Sequence, residues 1–193
     1  MESFHPVAAQ GRSDSSSVFL VGLMGAGKTS VGRALSKHLG KAFFDTDQEI
    51  ERLTGVRISV IFDIEGEAGF RARESKVLAE LTQRDNIVLS TGGGIVLSEH
   101  NRRLLTGRGT VIYLRAAVAD LAARTRSDKN RPLLRDGDPL TILQALYEER
   151  DPLYREVADL IVDTGSQSVS VLVRKLAGQL VALNPIASRL PVR

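Results

Sequence analysis

An α/β fold, with a parallel sheet covered on both faces by helices, is predicted by three observations. Gly22-Leu23-Met24-Gly25-Ala26-Gly27-Lys28-Thr29 fits the Gly-x-x-x-x-Gly-Lys-Ser/Thr pattern of a phosphate-binding loop. That loop joins an apolar run, Val18 to Val21, to a segment of helical periodicity. Four further short apolar runs then alternate with mostly helical stretches, the pattern of strand-helix-strand units.

Taken in order, Val18-Phe19-Leu20-Val21 reads as a buried parallel strand, and Ser30 to Leu39 carries apolar positions 31, 34, 35 and 39 on one helical face. Ala42-Phe43-Phe44 approaches a second strand. Glu67 to Leu81 is helical, with apolar residues at 70, 77, 78 and 81, and Asn86 to Ser90 is the third strand. Ser98 is placed to cap a helix carrying Leu104 and Leu105, and Thr110 to Leu114 is the fourth strand. Asp138-Pro139 is a helix start with Pro at the first helical position, followed by Leu140, Leu143 and Leu146. Leu160 to Val162 is the fifth strand, and Ser168 can cap a last helix running to the region of Leu180. Residues 1–17, rich in Ser, and residues 183–193 read as tails around a single domain over 18–182.

A chain of 193 residues with 42% hydrophobic content can bury one sizeable core. Its 26 basic and 23 acidic residues leave a net charge of +3, a weak preference for anionic ligands without the basic tract that nucleic acid would call for. The absence of cysteine excludes a disulfide scaffold and a cysteinyl metal site, and three histidines offer no zinc cluster. The N-terminal stretch lacks the basic and then apolar pattern of an export signal, and no run approaches membrane-span length. A cytoplasmic monomer is expected, with no membrane, nucleic-acid or obligatory protein partner.

The chemistry concentrates in five places. In the phosphate loop, glycines let successive N–H groups face phosphates, and the following helix adds its unpaired N-terminal donors. Gly25, Ala26, Gly27, Lys28, Thr29 and Ser30 are the candidate phosphate contacts, with Lys28 reaching the outer phosphates and the Thr29 hydroxyl a magnesium ligand. At the end of the second strand, Asp45-Thr46-Asp47 would share a face if extended, and would sit in the crevice where open sheets bind ligands. Asp45 can then organise magnesium through water and Asp47 can receive or orient a substrate hydroxyl proton, while a surface turn or helix cap is the competing reading.

Arg71 and Glu74 lie three apart on one helical face, where Arg71 can offer paired donors to a carboxylate and Glu74 can orient it, or the two can form an ordinary surface pair. Gly92, Gly93 and Gly94 follow the third strand directly, so a ligand can approach the backbone there; a flexible turn is the alternative. Between Arg124 and Arg135 lies a basic stretch in which Arg131, beside Pro132 and Leu133-Leu134, is the best residue for a lid, and Arg150 in the next helix is a second candidate charge clamp.

Together, GLMGAGKTS at 22–30, DTD at 45–47, GFRARE at 69–74, STGGG at 90–94, RPLL at 131–134 and Arg150 before DPLY closely resemble the shikimate kinase family, across about residues 18–164. The resemblance implies a three-layer P-loop NTPase fold with five strands in the order 2-3-1-4-5, a substrate-binding region at 46–76 and a lid at 124–138. It implies transfer of the γ-phosphoryl group of ATP, with Mg2+, to the 3-hydroxyl of shikimate on the route to chorismate and aromatic amino acids. By position, Asp47 would contact the accepting hydroxyl, and Arg71, Arg150 and the Gly92–Gly94 backbone would hold shikimate. Lys28 and Arg131 would stabilise phosphoryl charge, Thr29 would hold the metal with Asp45 in its water shell, Arg124 would lie against the base, and Phe62 and Phe70 would border the acceptor.

One stretch departs from that family: residues 163–170 contain no proline where its adenine loop commonly has one, which separates base recognition from phosphate binding. Two other readings stay open. A kinase of another hydroxylated metabolite, such as gluconate, would share the loop and core, and a noncatalytic nucleotide switch would bind without acceptor-dependent turnover.

Overall fold

The computed structural model describes residues 17–126, 137–165 and 167–183. Five strands, β1 (Val18–Val21), β2 (Ala42–Asp45), β3 (Ile87–Ser90), β4 (Thr110–Arg115) and β5 (Leu160–Asp163), form one parallel sheet in the order β2-β3-β1-β4-β5. The expected fold and strand order are the observed ones. β1 is central and buried throughout, which explains its unbroken apolar run, whereas β2 and β5 are edges with part of their length exposed.

Among the described residues, seven α-helices flank the sheet: α1 (Lys28–Leu39), α2 (Thr46–Thr54), α3 (Ile58–Leu81), α4 (Glu99–Arg108), α5 (Val118–Thr125), α6 (Pro139–Val157) and α7 (Val169–Leu183), with a short 3-10 turn at Ile95–Leu97. The caps read from sequence are in place. Ser98 accepts from the Asn101 N–H, Asp138 from Thr141 and Ser168 from Val171, each satisfying an otherwise orphaned helix donor. Leu35, Leu78, Leu105, Leu143 and Leu176 bury completely between the helices and the sheet.

Three local features differ from expectation. Two residues placed in the tails join the packed structure: Ser17 is buried and its hydroxyl bonds the Arg84 carbonyl and the Ile87 N–H, and Leu183 closes α7. Residues 1–16 and 184–193 of the expected tails lie outside the described residues. The chain from 46 to 65, for which no individual helix was placed from sequence, holds α2 and the first arm of α3, separated by residues 55–57. α3 is broken at Gly66, whose φ of 68° and ψ of −176° belong to a region essentially reserved for glycine, so the helix anticipated from Glu67 is its second arm.

Register carries the functional consequence. Asp45 pairs with Ser90 across β2 and β3, and Leu20 pairs with Ser90 across β1 and β3, so the phosphate loop, the acidic segment and the triple glycine all leave the sheet at one edge.

Candidate active site

At that edge lies a cleft of about 720 Å³ that brings together Lys28, Thr29, Asp45, Asp47, Arg71, Gly92, Gly93, Gly94, Arg124 and Arg150. Gly25, Gly27 and Ser30 line it as well, while Ala26 is buried beneath the turn. Arg131 and most of the expected lid, residues 127–136, lie outside the described residues.

The phosphate loop is shaped by glycines at positive φ: Gly22 at 140°, Gly25 at 80° and Gly27 at 91°. A Cβ at Gly22 would lie 2.5 Å from the Leu114 carbonyl oxygen, so conformation and space both require glycine there. The Lys28 ammonium bends back over the turn and donates to the Gly22 and Leu23 carbonyls at 2.7 and 2.9 Å. This holds the charge over the loop where phosphates would lie.

Asp45 and Asp47 do not share an extended face. The chain turns after Asp45, which ends β2 and caps α2, so Asp47 stands in the first helical turn. One Asp45 oxygen accepts from the Asp47 and Gln48 N–H groups at 3.1 and 3.3 Å. The other accepts from the Thr29 hydroxyl at 2.9 Å, and the Ser90 hydroxyl lies 3.5 Å from Thr29. The helix-cap reading and the cleft reading of Asp45 are therefore both true. These hard oxygens suit Mg2+, which takes few protein ligands beside phosphate and water; with its proton directed at Asp45, Thr29 Oγ1 keeps lone pairs for a metal.

The triple glycine is not empty space. Gly92 and Gly94 both have negative or ordinary backbone conformations, and what demands glycine is close approach by other site residues. A Cβ at Gly92 would lie 2.3 Å from Glu74 Oε1 and 3.0 Å from Asp47 Oδ1, and one at Gly94 would lie 2.3 Å from Arg71 Cζ, Nη1 and Nη2. The Gly92 N–H is already taken by the Thr46 hydroxyl at 2.9 Å, leaving the Gly93 and Gly94 N–H groups as the loop's candidates for a ligand.

Arg71 lies between two carboxylates: Nη1 donates to Glu74 at 2.8 Å, while Nη2 and Nε donate to Glu67 at 2.9 and 3.2 Å. Its ion pair with Glu74 is not a surface one, because the Glu74 side chain is fully buried. Burial pushes the Glu74 carboxyl above its ordinary pKa, outweighing the attraction of Arg71 and Arg150. Arg150 is itself 3% exposed, bonding Glu149 through Nε, and its Nη1 has no hydrogen-bond partner among the described residues. Arg150 lines the cleft, and a buried guanidinium nitrogen without a partner is a costly arrangement that an anionic ligand reaching it would relieve.

Arg124 ties the phosphate loop to the end of β5, donating to the Gly25 carbonyl and the Thr164 hydroxyl at 3.3 Å each and to the Gly165 carbonyl at 2.7 Å. Phe62 and Phe70 pack with ring centroids 4.7 Å apart; Phe70 is a core residue that also lines the cleft. Arg57, Glu51 and Ser59 line the cleft without having been singled out from sequence, because they sit on α2, α3 and the link between them, which the periodicity did not reveal.

A family model described as Shikimate kinase matches residues 24–181. The chain belongs to the shikimate kinase family. It is 61% identical over 162 residues to a shikimate kinase of Chromobacterium violaceum, covering 84% of this chain and 88% of that one. It is 58% identical over 181 residues to a shikimate kinase of Burkholderia lata, covering 94% and 98%. Among solved structures, shikimate kinase from Acinetobacter baumannii in complex with shikimate superposes with a TM-score of 0.86 at 48% identity, covering 90% of this chain and 96% of that one.

Proposed function

We propose that this chain transfers the γ-phosphoryl group of ATP to the 3-hydroxyl of shikimate, giving shikimate 3-phosphate and ADP on the route to chorismate and the aromatic amino acids. Beside family membership, the observation that supports this acceptor most directly is Arg150, buried at the cleft with an unpartnered Nη1. Arg71 lines the same cleft. Two guanidiniums suit a small carboxylate such as shikimate's, whereas a neutral polyol would leave the Arg150 Nη1 without a partner.

In this reading the phosphate loop and Lys28 hold the triphosphate, and the Asp47 carboxylate orients the attacking hydroxyl and accepts its proton. Arg71, Arg150 and the Gly93 and Gly94 N–H groups fix the acceptor ring, so positioning supplies much of the rate. Thr29, with Asp45 behind it, would hold Mg2+, which neutralises developing charge on the phosphates when bound. Arg124 would pack against the base, and Arg131, within a lid over 124–138, would stabilise the transferring phosphoryl group. A cytoplasmic monomer needing no protein partner completes the proposal; among the described residues no helix is long and apolar enough to cross a membrane.

The test is Mg2+-dependent ADP release from ATP with shikimate, gluconate or no acceptor, with mass detection of products. Shikimate-dependent ADP and shikimate 3-phosphate are expected. Turnover with gluconate alone, or nucleotide binding with no turnover, would overturn the reading.

A further inference from the structure

We propose that Tyr154 is a positioning residue for acceptor capture, its hydroxyl holding the triple-glycine loop in register with Arg150. The inference rests on the reading that this loop and Arg150 hold the acceptor. Tyr154 is fully buried in α6 and follows Arg150 by four residues, one turn along the same face. Its hydroxyl donates to the Gly93 carbonyl. Because a peptide unit is planar, the direction of the Gly93 carbonyl also sets the direction of the Gly94 N–H, one of the two loop donors not already committed to Thr46.

The loop is held from the other side too. Thr46, which is buried and directly precedes Asp47, accepts from the Gly92 N–H at 2.9 Å. Each tether thus belongs to a helix that carries an acceptor-site side chain, α2 with Asp47 and α6 with Arg150. Immediately after the second tether, Gly94 lies under the Arg71 guanidinium. A slack loop would misplace the backbone donors and the surface on which Arg71 rests.

The Tyr154 ring packs against Tyr113 at 4.9 Å between centroids, and the Tyr113 hydroxyl donates to Asp151 at 2.8 Å, away from the glycines. Burial raises the Tyr154 pKa, so the phenol remains a donor across the working pH range. The two stacked tyrosines therefore supply a matched pair, since only one of them touches the loop.

The experiment compares Tyr154→Phe and Tyr113→Phe in the full chain, reading KM and kcat for shikimate and for ATP and the thermal midpoint. Tyr154→Phe removes one hydroxyl and leaves a buried carbonyl without its donor, so the KM for shikimate should rise roughly tenfold while that for ATP stays within about twofold. Tyr113→Phe should leave both constants near wild type. An unchanged shikimate KM in Tyr154→Phe would overturn the proposal. Parallel losses for both substrates, equal effects in the two variants, or failure of Tyr154→Phe to fold would also overturn it, by assigning the hydroxyl to packing alone. A wild-type protein that ignores shikimate would instead remove the functional reading beneath it, and this proposal with it.

Discussion

Gly94→Ala separates the fold from the site. The backbone there, at φ −94° and ψ 4°, is open to alanine, so the substitution introduces no conformational strain. The new methyl would meet the Arg71 guanidinium at 2.3 Å, and reaching the 3.4 Å of an ordinary contact displaces that group by about 1.1 Å (3.4 − 2.3). The obstructing atoms are the tip of a flexible side chain, so the fold can yield cheaply, by less than about 1 kcal/mol. Function cannot yield in the same way. Arg71 is held at 2.8 Å by Glu74 and 2.9 Å by Glu67, and a shift of this size at a substrate clamp costs on the order of a hundredfold in acceptor kcat/KM. The assay is coupled ADP release with shikimate varied at saturating ATP, alongside a nucleotide titration and a urea melt. The expected result is a large loss in shikimate kcat/KM with nucleotide affinity and stability nearly intact. A shikimate KM and kcat within about twofold of wild type would show that the glycine is not reserved for the guanidinium.

Other substitutions probe separate parts of the argument. Asp47→Asn should lower kcat by roughly a hundredfold or more with nucleotide affinity retained, and near-normal turnover would sink its acceptor role. Lys28→Ala should abolish most acceptor-dependent turnover, and unchanged kcat would exclude the phosphate role of its ammonium. Because burial holds the Glu74 pKa above its ordinary value, the native state binds that proton more tightly than the unfolded chain; its contribution to stability is fully present below the unfolded value and is lost as pH rises through the native one. Glu74→Gln should flatten the stability curve over that window, and superimposable urea-denaturation profiles would reject the shift. Away from the site, Gly32→Ala gains about 1 kcal/mol of helix propensity but places a methyl 2.7 Å from the Phe43 ring, and overpacking of about 1–3 kcal/mol should win. A more stable variant by urea melt would show that Phe43 moves aside.

The sheet was legible because β1 is buried on both faces, so its apolar run needed no partner to be recognised, and because Ser98, Asp138 and Ser168 announce their helices by local hydrogen bonding. The segment from 46 to 65 was not, for Leu53, Val56, Val60 and Ile64 remain exposed and blur any apolar face. Reading Asp45-Thr46-Asp47 as extended missed the turn because the capping bonds form only once the strand has ended. The glycines were placed correctly at the strand edge, but what fills the space above them comes from α2 and α3, about twenty or more residues away in sequence, and local spacing holds no record of it. Nothing local to Arg150 foretells its burial, which comes from tertiary packing.

The double duty of Asp45 bears on how this enzyme can change over evolutionary time. The same carboxylate that closes a strand and opens α2 also takes the Thr29 hydroxyl, so the spacing of α1 and α2 is written into a single side chain. Ser59 and Phe62, which line the cleft without joining that link, can be exchanged while the span stays constant. Asp45 itself has no such latitude: any replacement alters the anchor of Thr29 and the cap of α2 together, and neighbouring substitutions would have to repair both at once.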